Sequence, residues 1–125
     1  MPVIPAPQRA THELEGARFT SLATPTSGAA SDTSVWTVEL APGGPVTPHS
    51  LTREAVFVVL EGVAVAELDG VAHTAEAGDA ILVPAGVPFA LSNGGDEPVR
   101  LVCCFPVGGR AVLADGTLLT PPWAE

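Results

Sequence analysis

GGPVTPHSLTREAVFVVLEG, residues 43 to 62, and GDAILVPAGVPFALSN, residues 78 to 93, are the two stretches that decide the fold of this chain. Both alternate apolar, strand-like runs with glycines and prolines. Pro84 closes one strand segment and redirects the next. Four glycines occupy positions where turns require backbone angles that other residues rarely adopt: Gly43, Gly62, Gly78 and Gly86. The two stretches therefore predict short strands joined by tight turns.

The remainder of the chain continues this pattern and predicts an all-β fold. Asp69-Gly70 is a strong hairpin signal, and Asp115-Gly116 is a second one. Short strands separated by such turns are typical of an antiparallel β-sandwich or a jelly-roll barrel. A single domain is expected, with a Pro-rich arm and first strand (1–34), a barrel core (35–107) and a tail packed on the barrel (108–125). The strands are predicted at 18–23, 35–40, 55–60, 63–68, 71–75, 80–83, 87–91 and 99–105.

Composition excludes several classes of function. The chain has 125 residues, enough for one domain with a sizeable core. Its net charge is −9, with 14 acidic residues against five arginines and no lysine, so a nucleic acid is not an expected partner. No apolar run approaches the roughly 20 residues of a membrane helix. The first residues do not read as a secretory signal, and we expect a cytoplasmic protein.

The two stretches resemble the paired motifs of the cupin family, G-x5-H-x-H-x3-4-E-x6-G and G-x5-P-x-G-x2-H-x3-N. The glycines and the proline agree with those patterns, and His49 falls on the first histidine position. Leu51 falls on the second histidine position, Ala55 on the glutamate and Phe89 on the last histidine. The resemblance covers residues 35 to 105, and it implies a jelly-roll barrel and a homodimer.

The same comparison predicts that the site holds no metal and no cofactor. A divalent metal needs at least three nitrogen or oxygen donors that converge on one point, and leucine, alanine and phenylalanine supply none. Glu54 lies one residue before the acid position. A one-residue offset in a strand aims the side chain at the opposite face, unless a bulge intervenes. The two motifs therefore retain the glycines and the proline of the turns but lack donor side chains at three of the four metal-ligand positions.

An apolar pocket with one imidazole is the expected replacement for the metal site. His49 is the predicted catalytic residue, because a desolvated histidine can act as an acid or base near neutral pH. The alternative role of His49 is that of a hydrogen-bonded side chain that takes no part in a reaction. A hydrophobic small molecule is the expected ligand. The predicted substrate-binding residues are Trp36, Leu51, Glu54, Ala55, Phe57, Phe89 and Leu91.

Three functional classes fit these residues. The first is a metal-independent isomerase, cyclase or lyase in which His49 moves a proton. The second is a module that binds or senses a small molecule without turnover. The third is a metal-dependent cupin, such as a dioxygenase, with unconventional ligands. Cys103 and Cys104 are adjacent, so only one of the two can face the interior, and both are expected to be free thiols rather than a disulfide.

Overall fold

A computed structural model describes residues 3–125, and these residues form antiparallel β-strands. The all-β prediction is confirmed. The only helical segment among the described residues is a single 3-10 turn, Pro122–Ala124. No helix within residues 3–125 is long and apolar enough to cross a membrane. The strands are β1 (His12–Leu14), β2 (Ala17–Ala23), β3 (Thr33–Leu40), β4 (Ser50–Leu51), β5 (Ala55–Glu61), β6 (Val63–Leu68), β7 (Val71–Glu76), β8 (Ala80–Val83), β9 (Phe89–Asn93), β10 (Val99–Pro106), β11 (Ala111–Val112) and β12 (Leu118–Leu119).

The strands form one large sheet and two small ones. The large sheet has the order β1-β2-β3-β10-β5-β8, and its neighbouring strands are antiparallel. One small sheet has the order β7-β6-β9, and the other has the order β12-β11-β4. Strands far apart in sequence, such as β3 and β10, are neighbours in the large sheet. This crossing connectivity belongs to a jelly-roll rather than to a simple meander.

Alternation along the central strands divides the large sheet into an inner and an outer face. In β10, Leu101, Cys103 and Phe105 are fully buried, whereas the residues between them are partly or fully exposed. The strands β3 and β5 follow the same period of two. The side chains of the inner face pack against the small sheets and form one continuous hydrophobic core.

Glycine is needed at the turn between β5 and β6 for two reasons. Gly62 has φ +82°, a left-handed conformation that disfavours other residues. A Cβ atom there would also lie 2.8 Å from the carbonyl oxygen of Pro98. The hairpin predicted at Asp69-Gly70 is present as well, with φ +49° and +81°, and it joins β6 to β7. The turn chemistry of the sequence thus fixes these two connections.

The strand predictions need two corrections. The strand predicted at 87–91 is displaced, because β9 begins at Phe89 and ends at Asn93. Pro88 cannot donate a ladder hydrogen bond, which accounts for the later start. The short strands β1, β4, β11 and β12 were not predicted, since two or three residues are too few to show alternation. The hairpin signal at Asp115-Gly116 was read correctly, and it joins β11 to β12.

Hydrogen bonds fix the C-terminal segment to the large sheet. The hydroxyl of Ser21 donates to the carbonyl oxygen of Trp123 at 2.7 Å, and the hydroxyl of Ser34 donates to that of Ala124 at 2.7 Å. Both serines are buried. The backbone N–H of Thr26 donates to the carbonyl oxygen of Glu125 at 2.8 Å. The last residues of the chain therefore form a fixed wall at one end of the barrel.

Candidate functional site

The inner face of the large sheet, residues of both small sheets and the C-terminal segment enclose a cavity of about 320 Å³. Pockets for small molecules begin at roughly this size. The lining is apolar except for a few groups, of which His49 and Cys103 are titratable. The lining residues are Leu14, Phe19, Trp36, Val38, Leu40, Thr47, His49, Leu51, Ala55, Phe57, Phe89, Leu91, Cys103, Phe105, Ala111, Leu113, Leu119, Pro121 and Trp123.

His49 is positioned by two backbone hydrogen bonds to Phe89. Its N–H donates to the carbonyl oxygen of Phe89 at 3.0 Å, and its own carbonyl oxygen accepts from the N–H of Phe89 at 2.8 Å. This isolated bridge connects the segment before β4 to the start of β9. The imidazole lies against the ring of Phe89, with 4.5 Å between the ring centroids and a tilt of 49°. The two motif stretches thus meet at the histidine, which is partly buried.

The hydrogen bond of the imidazole determines which ring nitrogen carries the proton. Nδ1 of His49 lies 3.1 Å from the carbonyl oxygen of Thr47. A carbonyl oxygen only accepts, so Nδ1 is the donor. In the neutral ring, Nε2 then has a free lone pair. No protein group within residues 3–125 forms a hydrogen bond to Nε2. The histidine is therefore held at one nitrogen and available at the other.

Six of the seven predicted substrate-binding residues lie around this one cavity. They come from β3, β4, β5 and β9, and in each strand they are residues of the inner face. His49 lines the same cavity. The six are Trp36, Leu51, Ala55, Phe57, Phe89 and Leu91.

Glu54 is the seventh, and its assignment to the cavity needs correction. It is exposed and is not among the lining residues. It lies before the first residue of β5, where Ala55 already points inward and is 1% exposed. The pairing of β5 with β8 begins at Ala55, so Glu54 lies outside the strand ladder. The cavity consequently has no carboxylate in the described chain.

The sequence did not predict that two aromatic residues from distant parts of the chain form part of the cavity wall. Phe19 of β2 and Trp123 stack with 3.6 Å between ring centroids and an angle of 8°. Both rings line the cavity. The sequence places Trp123 in the tail (108–125) predicted to pack on the barrel, without a link to the site. The alternation of β2 could have indicated that Phe19 faces inward, but its partner lies more than 100 residues away in sequence.

The two cysteines differ in environment as alternation requires. Cys103 is fully buried and lines the cavity, whereas Cys104 is exposed on the outer face. Both are free thiols. Burial raises the pKa of the Cys103 thiol far above its usual range, and the neighbouring charge of Cys104 raises this pKa further. A thiol that stays protonated is a poor nucleophile, so Cys103 serves as a small apolar wall residue.

Residues 36–105 match the family model described as the cupin domain, which is more than half of the chain. The chain belongs to the cupin family. The predicted family and the fold that it implies are thereby confirmed. The barrel of this cupin carries the cavity at the place where the two motifs meet, around His49.

The residues of this cupin do not fit a divalent metal at that place. Only His49 offers a donor among the four motif positions, since the other three hold Leu51, Ala55 and Phe89. Residues 3–125 contain no group of three or more histidine, cysteine, aspartate or glutamate side chains that could hold a metal ion. A stable site needs at least three such donors.

Known proteins similar to this cupin differ in their chemistry. The uncharacterized protein MJ1618 of Methanocaldococcus jannaschii is 32% identical over 53 residues, which are 42% of each chain. The chain thus spans less than half the length of that relative. The polyketide cyclase RemF of Streptomyces resistomycificus has a similar structure, with a TM-score of 0.66 and 24% identity over 82% of this chain and 73% of its own. Salicylate 1,2-dioxygenase of Pseudoaminobacter salicylatoxidans has a TM-score of 0.64 and 25% identity over 78% of this chain and 26% of its own.

Proposed function

We propose that this cupin binds an apolar small molecule in its barrel and acts on it as a metal-independent isomerase, cyclase or lyase, with His49 as the acid and base. The observation that carries the proposal is the free Nε2 of His49 at the wall of an otherwise apolar cavity. An apolar pocket supplies binding energy and excludes water. One oriented base in such a pocket is sufficient for proton transfer.

The chemistry that these residues support needs no oxidant or reductant. Nε2 takes a proton from the bound substrate, and the electron pair of the broken bond moves into the substrate. The resulting imidazolium keeps its Nδ1–H hydrogen bond to the carbonyl oxygen of Thr47, which stabilises the positive charge. The proton then returns to another substrate atom in an isomerase or cyclase, or leaves with the departing group in a lyase. General acid–base catalysis of this kind contributes roughly 10²–10⁴-fold to a rate.

Two alternatives remain as competing proposals. A binding or sensing module without turnover is favoured by the partner of His49, which is a backbone carbonyl rather than a carboxylate. A metal-dependent dioxygenase is the second alternative, and the donor set speaks against it. The similarity to RemF and to the dioxygenase supports the cupin fold and does not indicate a reaction, because their sequence identities to this chain are 24% and 25%.

A proton-abstraction probe tests the proposal without knowledge of the natural substrate. In 5-nitrobenzisoxazole, a base removes the ring C–H proton, the released electron pair completes a nitrile, and the N–O bond breaks to give a phenolate. We expect the protein to accelerate this ring opening by roughly 10²-fold or more over free imidazole at the same concentration. Leu91→Trp is expected to abolish the acceleration, since it fills a partly exposed position of the cavity wall.

The alternatives predict different results for the same protein. Binding of 5-nitrobenzisoxazole with no acceleration over imidazole would support the binding module and contradict the enzyme. Stoichiometric iron, nickel, manganese or zinc in protein purified without chelators would support the metal-dependent alternative. Either result would overturn the proposed mechanism.

We also propose that the chain forms a homodimer through the outer face of the large sheet. Leu60 is 40% exposed there and Leu82 is 52% exposed, and Val56, Val58 and Val102 are partly exposed on the same face. Contiguous exposed apolar surface of this kind marks an interaction site. A groove beside it is lined by three of the five arginines together with two glutamates: Arg9, Arg18, Arg100, Glu13 and Glu39.

Charge makes a second copy of the chain the best occupant of that face. Each copy carries a net charge of −9, so most pairs of surfaces repel. The face with mixed arginine and glutamate can pair opposite charges across a twofold axis. Light scattering is expected to give a dimer mass for the native protein, a monomer mass for Val58→Glu and a dimer mass for Val71→Glu, an exposed control in β7. A monomer mass for the native protein would contradict the proposal.

A further inference from the structure

Every aromatic side chain of this protein lies around the same cavity. The chain has four phenylalanines, two tryptophans and no tyrosine, and all six aromatic residues line the cavity. The buried residues that do not line it are aliphatic or small, including Val59, Val83, Val99 and Leu101. The interior therefore has an aliphatic part without aromatic rings and a second part, around the cavity, that holds all six rings. Core packing alone does not require this separation, because the aliphatic residues of the other part are buried without an aromatic neighbour among them.

The aromatic rings around the cavity contact one another at several angles. Phe19 and Trp123 are stacked with 8° between their planes. Trp36 and Phe105 are edge to face, with 6.1 Å between centroids and an angle of 86°. Phe57 and Phe89 are tilted by 47° at 6.2 Å. An aromatic ligand gains from such walls beyond the area that it buries, because ring edges and ring faces carry opposite partial charges. A saturated ligand of the same shape gains only from burial.

The polar groups of the cavity determine which charge and which hydrogen-bonding group a ligand can have. No carboxylate, arginine or lysine lines it within the described chain, so a charged ligand would be desolvated without a counter-charge. His49 offers a hydrogen-bond acceptor at Nε2, because Nδ1 is the donor to Thr47. A ligand hydroxyl is the group that satisfies this acceptor.

We propose that the occupant of the cavity is a neutral, flat aromatic molecule of a few fused rings with a ring hydroxyl that donates to Nε2 of His49. This inference rests on the proposed function and names its class of substrate. The cavity of about 320 Å³ suits a compact ligand and is too small for a long acyl chain in addition to the rings. The hydroxyl places the aromatic system beside the base, where a proton is exchanged.

Three probes with the same two-ring carbon skeleton test the two parts of the inference. They are 2-naphthol, its saturated analogue trans-decahydro-2-naphthol, and naphthalene, which lacks the hydroxyl. Isothermal titration calorimetry with the full chain is expected to show that 2-naphthol binds best. The saturated analogue is expected to bind at least tenfold more weakly, because it loses the contacts with the aromatic walls. Naphthalene is expected to bind roughly fivefold to tenfold more weakly, because it leaves Nε2 unpaired.

Variants assign these differences to the site. His49→Leu removes the acceptor, and 2-naphthol is then expected to lose its advantage over naphthalene. His73→Leu changes an exposed histidine of β7 and should leave the advantage intact. Phe57→Leu is expected to reduce the preference for 2-naphthol over the saturated analogue severalfold. Circular dichroism and thermal unfolding confirm that each variant is folded before it is titrated.

The outcomes separate the inference from the proposed function. Equal binding of 2-naphthol and its saturated analogue would overturn the aromatic ligand while leaving an apolar binding site in place. Equal binding of 2-naphthol and naphthalene would overturn the role of the hydroxyl. Absence of binding by all three probes would contradict the proposed function and the inference together. Binding that persists in Leu91→Trp would place the probes outside the cavity and overturn the inference.

Discussion

Replacing His49 with glutamine is expected to lower the catalysed ring opening of 5-nitrobenzisoxazole by roughly 10²–10⁴-fold. Glutamine is similar in size to histidine, and its amide oxygen can accept a hydrogen bond, but the amide cannot take up a proton near neutral pH. The cavity and its apolar walls therefore stay in place while the base is lost. The release of the nitrophenolate product, followed by absorbance, gives the rate.

Histidines elsewhere in the chain provide the control for this experiment. His73 is exposed in β7 and does not line the cavity, so His73→Gln is expected to retain the full rate. Affinity of His49→Gln for 2-naphthol is expected to fall by no more than a few fold, since the amide oxygen still accepts the hydroxyl. A His49→Gln protein that keeps the native rate would show that another group is the base. If His49→Gln lost most of its affinity for 2-naphthol while the rate of ring opening of bound 5-nitrobenzisoxazole stayed unchanged, His49 would serve binding only.

The part of the site formed by the two motifs could be predicted from sequence because local rules govern it. Strand alternation from Ala55 places Phe57 on the same face. The resemblance to the paired cupin motifs assigned His49 and Phe89 to one site, and in the structure these two residues form an isolated bridge. The glycines restrict where each strand can end, so the register has little freedom. For the same reason Glu54, at the neighbouring position, is directed to solvent.

The remaining walls could not be predicted because they depend on contacts between distant parts of the chain. Trp123 stacks on Phe19, and the hydroxyl of Ser21 holds the carbonyl oxygen of Trp123 in place. The hydroxyl of Ser34 fixes the next residue in the same way. A serine in a strand gives no sign in the sequence that it will bind the end of the chain. The aromatic character of the cavity becomes visible only when these long-range contacts are known.

Leu101→Ala is expected to lower the free energy of unfolding by about 2–5 kcal/mol, the usual cost of this truncation in a packed core. Leu101 is fully buried in β10, in the middle of the large sheet, and it is opposite Val38 on one side and Val59 on the other. Rigid strands on both sides prevent the sheet from closing around the lost methyl groups. Urea unfolding followed by circular dichroism gives the difference in free energy.

The same chemical change at the surface separates a packing effect from a general effect of the substitution. Leu118 is 51% exposed in β12 and does not line the cavity, so Leu118→Ala is expected to change stability by less than about 0.5 kcal/mol. Leu101 does not line the cavity either. Folded Leu101→Ala protein should therefore bind 2-naphthol with nearly native affinity, because the aliphatic part of the interior supports the barrel and not the ligand. A folded variant that loses both stability and affinity would show that the two parts of the interior are coupled through β10, whose Cys103 and Phe105 belong to the cavity wall.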